Sequence, residues 1–133
     1  MKGIEARDWP RLHELYAIDA IVEHPFALPR PTRLSGRAEI RTHFERFALQ
    51  PLQLKVRDMN FHTATDPEVV VVEWQYEGFV TTTRHAFSVA NAQISRVRNG
   101  EIVFSRDYHN HALMAAVSGR LDALYTALGA LVP

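Results

Sequence analysis

Val69 to His111 reads VVVVEWQYEGFVTTTRHAFSVANAQISRVRNGEIVFSRDYHNH, and this stretch decides the fold. Val69–Val80 and Ala86–Val97 are dense in β-branched and aromatic residues, the types that fit a pleated, half-buried surface. Asn99-Gly100 supplies the positive backbone angles of a tight hairpin, after which Ile102–Tyr108 returns. Three consecutive antiparallel strands are expected. Side chains alternate between faces along a strand, so Phe87, Val89, Asn91, Gln93, Ser95 and Val97 share one side. Asn91 and Gln93 therefore stand among apolar neighbours, and the third strand runs into RDYHNH with Asp107, His109 and His111 at period two. Polar groups set into an apolar sheet face read as a lined pocket rather than a plain core.

The chain has 133 residues, with Lys plus Arg equal to Asp plus Glu at 15 each, and no cysteine. That length suits one domain with a real core, residues 1–133, and is short for two. Zero formal charge offers no long-range field to recruit nucleic acid or an anionic membrane. The missing thiols remove disulfides, zinc–thiolate sites and cysteine nucleophiles together. The opening MKGIEARDWP has no apolar run of the signal-peptide kind, and no window approaches a membrane span. The expected setting is cytoplasmic.

Working outward, Asp8 can cap a short helix with Pro10 in its first turn and Leu12, Leu15 and Tyr16 on one face. Ala20–His24 reads as a brief strand stopped by Pro25, and FALPRPTRLSG as an irregular loop. Ser35 opens a helix in which Ile40, Phe44 and Phe47 recur at helical spacing and Arg41 and Glu45 pair outward. Leu52, Leu54 and Val56 alternate on even positions but Met59 and Phe61 are odd, which predicts a bulge at Arg57-Asp58. After Asn110, an N-cap, Leu113, Val117, Leu121, Leu124 and Leu128 form an apolar stripe ending at Gly129, with Gly119 as a weak point inside it. The expected fold is α+β, a cone-shaped curved antiparallel sheet with helices on its concave face, enclosing one pocket.

Three segments, LYAIDAIVEHP, SGRAEIRTHFERF and VRNGEIVFSRDYHN, carry a resemblance to a known family. Their order and spacing resemble the SnoaL-like and ketosteroid-isomerase-like members of the nuclear transport factor 2-like superfamily, over roughly Leu12 to His111. The resemblance implies the cone-shaped fold and a small-molecule pocket. It does not select one chemistry, because the fold hosts isomerases, cyclases, epoxide hydrolases, dehydratases and binding domains. Relatives commonly start with a longer first helix, so the tyrosine oxyanion donor that the steroid isomerases carry there has no expected counterpart.

In the isomerases an Asp-Pro dipeptide supplies the base that moves a proton beside a carbonyl, and His24-Pro25 stands in that place. Imidazole titrates at about 6.5 and can take and return a proton near neutrality. Asp107 resembles the pocket-facing aspartate of the epoxide hydrolases, but their Arg-x-Asp pair is replaced here by Trp74-Gln75-Tyr76. Trp74 and Tyr76 suit an apolar or aromatic ligand site, or the core. Asn91 and Gln93 fall near the isomerases' enolate-oxygen donor, and an amide can donate to a developing oxyanion. Asp107, His109 and His111 could point at one metal, yet same-face residues on a strand are about 6.5 Å apart, which strains that geometry. No metal and no cofactor are expected. His13, His43, His62 and His85 read as surface or packing residues.

The leading expectation is proton-transfer chemistry, isomerase or cyclase in type, on a small hydrophobic carbonyl compound, with His24 as base, Asp107 as second acid/base or orienter, and Asn91 or Gln93 as donor. The alternatives are a non-catalytic binding module for a hydrophobic small molecule and an epoxide-hydrolase-like enzyme. Apolar residues on both sheet faces predict a homodimer, since the helices cannot cover both.

Overall fold

Alternation of apolar and polar residues from 52 onward builds a four-strand meander, and the N-terminal part of the chain is laid against its far edge. The structure, a computed structural model, describes residues 9–132. A four-residue helix α1 (Trp9–Leu12) and a 3-10 turn (His13–Leu15) lead into β1 (Tyr16–His24) and β2 (Thr32–Ser35). Helix α2 (Arg37–Ala48) follows, then β3 (Leu52–Thr63), β4 (Val69–Val80), β5 (Ala86–Arg98) and β6 (Glu101–Tyr108). The chain closes with α3 (His111–Val117) and α4 (Leu121–Gly129). One curved, open sheet runs in the order β2-β1-β6-β5-β4-β3.

All neighbours are antiparallel except β1 and β6, which run parallel with Glu23 opposite Arg106. The expected bulge is present: the β3–β4 register shifts between Arg57 and Asn60, and Asp58 adopts a φ of 52°. Asn99 and Gly100 turn the β5–β6 hairpin with φ of 52° and 78°. Asn110 caps α3, its side chain accepting from the Leu113 amide at 3.0 Å. Gly119, at φ 73°, ends that helix, and the Arg120 amide reaches back to the Ala115 carbonyl at 2.8 Å. This is the left-handed C-terminal stop that a glycine permits, so the apolar stripe is two helices.

Two expectations are corrected. Tyr16 belongs to β1 and not to the first helix, because it pairs with Ile102 of β6, the ladder resuming at Ile21 opposite Phe104 after a register shift; Leu15 stays exposed and Asp8 lies outside the described residues. The proline-rich segment is not wholly irregular either. Once past Pro31, Thr32–Ser35 pairs with β1 from Thr32 opposite His24 to Ser35 opposite Ile21. Pro31 precedes this edge strand without interrupting it.

Helix α2 covers the concave face. Ile40, 1% exposed, packs with Tyr16, Ala17, Ala20 and Val22, while Phe44 and Phe47 reach the second cluster of Leu54, Trp74, Tyr76 and Val89. Leu113 and Met114 of α3 pack on that second cluster as well.

Candidate active site

The parallel pairing of β1 with β6 brings the C-terminal ends of both strands together, and this places His24 beside Asp107. Both lie on the helix-covered face. Register extends the arrangement into two rows across the sheet: Val72, Gln93 and Asp107 in one, Trp74 and Asn91 in the next, with His109 completing the second just past β6. His24 is 5% exposed, and its Nε2 lies 3.8 Å from Asp107 Oδ2. That separation is close contact short of a hydrogen bond.

Each of these groups is held from behind. Thr32 Oγ1 sits 3.4 Å from His24 Nδ1. Ser105 Oγ donates to Asp107 Oδ1 at 2.9 Å, leaving Oδ2 toward His24. His109 Nδ1 lies 2.8 Å from Asn91 Oδ1, and Asn91 Nδ2 donates to the Val89 carbonyl at 3.2 Å. With the amide so oriented, its oxygen can only accept, so Nδ1 of His109 carries the proton and Nε2 has a free lone pair. His43 and His111 complete a histidine cluster, their rings 5.2 and 6.1 Å from that of His24. Trp74 and Tyr76 meet edge to face at 5.9 Å beneath it, the indole nitrogen outside hydrogen-bond geometry.

Burial dominates the electrostatics. It lowers His24 to about 4, assisted by His43 and His111, and lowers His109 to about 3, assisted by His24, His111 and His43. His43 and His111 are lowered for the same first reason. Asp107 is pushed up to about 6 by burial, against the opposing hydrogen bond from Ser105. Near neutrality the cluster is thus a set of uncharged imidazoles around one carboxyl that titrates close by. Burial also raises the phenols of Tyr16 and Tyr76, so both remain donors; Tyr16 hydrogen-bonds Gln93 and feels the charge of Asp107.

All six residues singled out from the sequence, His24, Asp107, Asn91, Gln93, Trp74 and Tyr76, fall on this one face. The triple at period two does not hold together as a metal set: the ligand atoms that converge belong to His24, Asp107 and His109, while His111 has moved into α3. His43 was missed. It stands three residues after buried Ile40, at the exposed edge of the inward stripe of α2, with its ring 5.2 Å from that of His24, and that spacing was the available signal. Tyr16 was also missed, as a donor beside Asp107. His62, by contrast, pairs with Glu73 at 2.7 Å on the exposed face. A cleft of about 400 Å³ between β2 and α2, lined by Leu34, Ala38, Glu39, Thr42, His43 and Arg46, reaches the cluster through His43. A larger hollow of about 800 Å³, between Gln53, Glu77 and Phe87, contains none of the predicted residues.

The profile of the SnoaL-like domain matches residues 1–105. The chain belongs to the SnoaL-like domain family. An uncharacterised PhzA/B-like protein of Pseudomonas aeruginosa is 28% identical over 120 residues, 90% of this chain and 82% of that one. Among solved structures, a candidate isomerase from Bacillus subtilis superposes with a TM-score of 0.81 at 25% identity, covering 90% of this chain and 87% of its own. A candidate polyketide cyclase from Xanthomonas campestris gives 0.71 at 19% identity, covering 88% and 89%, and shows the shared fold alone. This SnoaL-like domain therefore has the nuclear transport factor 2-like architecture, with isomerase-like and cyclase-like proteins as its structural neighbours. Among the described residues, no helix is long and apolar enough to cross a membrane.

Proposed function

We propose that this SnoaL-like domain moves protons on a small hydrophobic carbonyl compound, using side chains alone, as an isomerase or cyclase does. The observation that carries the reading is the buried pair His24 and Asp107, 3.8 Å apart at the joined ends of β1 and β6. Asp107, near 6, is the better-matched acid–base group at neutral pH, because efficiency is greatest when the pKa lies near the working pH. It takes the proton beside the carbonyl. His24, near 4, is a weaker base and stands 3.8 Å from the carboxylate, which Ser105 holds in place. Charge developing on the substrate oxygen is met by the Tyr16 hydroxyl and the Gln93 amide, which need no unusual ionisation to donate. Asp107 then returns its proton to a different carbon, or the enolate carbon bonds to a second carbonyl and the oxygen of that carbonyl takes the proton back from Asp107. Trp74 and Tyr76 line the apolar side of the site.

The test is exchange of the protons beside the carbonyl in a panel of small cyclic ketones in D2O, followed by NMR on chelator-treated protein. The wild type is expected to exceed the buffer rate, with the rate rising through pH of about 6 and then levelling. Asp107→Asn should lower it by about a hundredfold or more, the scale of a lost general base. Exchange that survives Asp107→Asn, or ketone binding with no exchange, would leave the cavity as a binding site only.

A further inference from the structure

We infer that His24, Asp107 and His109 form a binding site for one divalent transition-metal ion. One donor atom from each lies within 4.8 Å of those of the other two. Two ligands on a tetrahedral ion, with bonds of about 2.1 Å, stand roughly 3.4 Å apart, so the 3.8 Å between His24 Nε2 and Asp107 Oδ2 is a few tenths of an ångström too long. The remaining approach takes a side-chain adjustment of about 1 Å. Two imidazoles and one carboxylate are a donor set suited to zinc, iron(II) or cobalt(II), and three ligands leave positions open to a small molecule.

The observation that lifts this above a chance cluster is the shell behind it. Metal-binding histidines characteristically commit their second ring nitrogen to a carbonyl or carboxylate, which fixes the tautomer and the ring plane. His109 does so through Asn91 Oδ1 at 2.8 Å, and Asn91 is itself fixed by the Val89 carbonyl. Asp107 spends its other oxygen on Ser105, and His24 turns its other nitrogen to Thr32. Asp107 Oδ2 and His109 Nε2 therefore offer lone pairs on supported side chains, and His24 Nε2 offers a third in the tautomer whose Nδ1 proton turns to Thr32. His111 Nε2, buried and without a hydrogen-bond partner among the described residues, belongs to a ring 5.8 Å from that of His109.

The inference does not rest on the proton-transfer reading. An ion at Asp107 occupies the lone pair that would accept the proton, so the two uses exclude each other and saturating Zn2+ suppresses any exchange shown by the metal-free protein. The experiment is titration of chelator-treated protein with Co2+ alone, read by its visible absorption and by competition with Zn2+. One saturable equivalent is expected. Affinity should fall at least tenfold in His24→Gln, His109→Gln and Asp107→Asn, and by about tenfold or more when the supporting Asn91 is changed to Leu, the scale of a lost outer-shell partner. His62→Gln should change nothing. Circular dichroism checks that each variant folds. Where one does not, NMR of the wild type decides: Co2+ must perturb the ring signals of His24 and His109. Unsaturable binding, equal affinity in the three ligand variants, or perturbation confined to exposed His62 and His85 would overturn the site. Binding without exchange would defeat only the proton-transfer reading, and exchange without binding only this one.

Discussion

At the scale of single residues, the histidine cluster makes folding sensitive to acid in the metal-free protein. Unfolded histidine titrates at about 6.5, whereas folded His24 and His109 sit near 4 and 3. Between those values the unfolded chain holds protons that the folded one refuses, so this contribution to stability is present above about 6.5 and is lost as pH falls. Asp107 acts in the opposite sense. Held near 6 against an ordinary 3.8, it favours the folded state below about 4, and that contribution fades as pH rises through 6. His43 and His111, also lowered, add to the histidine side. The expected outcome in calorimetry is a lower Tm at pH 4.5 than at pH 7, with a shallower slope in His109→Gln. A Tm that rises on acidification would mean that Asp107 governs. Residue identity alone could suggest His24 and Asp107 as chemistry, but it could not predict that burial dominates the titration of both, because burial depends on the helices laid over them.

At the scale of elements, the strands were legible and their far partners were not. Period-two alternation and Asn99-Gly100 located β4, β5 and β6 almost to the residue, and the parity change at Arg57-Asp58 located the bulge. Strand β2 hid behind three prolines, Pro25, Pro29 and Pro31, and the parallel pairing of β1 with β6 has no local signature, since parallel neighbours are joined by long crossovers. For that reason His24 and Asp107 were each readable as candidates while their meeting was not. His43 read as a surface or packing residue and is exposed, but its edge-on place three residues after Ile40 still brings its ring within 5.2 Å of that of His24. The β4 strand also yields a prediction. A methyl group on Gly78 would collide with the Gln53 carbonyl oxygen and press on Leu54 and Phe87. Gly78→Ala is expected to destabilise by about 1–3 kcal/mol, the usual cost of overpacking, as measured by urea denaturation. A change below about 0.5 kcal/mol would mean that β3 and β4 can shift apart locally.

At the scale of the whole molecule, the helices cover one sheet face and leave the other open. Val71 and Ile94 stand directly opposite each other on that open face, with Phe104 nearby on β6, all half-buried in the single chain. Around them lie ion pairs such as Arg57 with Glu77 and Arg96 with Asp66. An apolar strip rimmed by charge is the anatomy of a subunit contact, and the expected state is a homodimer joined through this face. Ile94→Glu should shift sedimentation toward monomer while leaving the fold intact. A wild type that remains monomeric at tens of micromolar, on the order of ordinary assay concentrations, would remove the dimer.

The parallel contact between β1 and β6 also dictates an order of events in time. Each strand from β3 to β5 pairs with its immediate successor, so those hairpins close short loops, whereas Arg106 meets Glu23 across a sequence separation of 83 residues. Closing so long a loop carries the largest entropy penalty in the sheet, and non-local pairings are the slow ones. Scaffold therefore precedes chemistry: during synthesis the ribosome must deliver Asp107 before His24 has anything to act with.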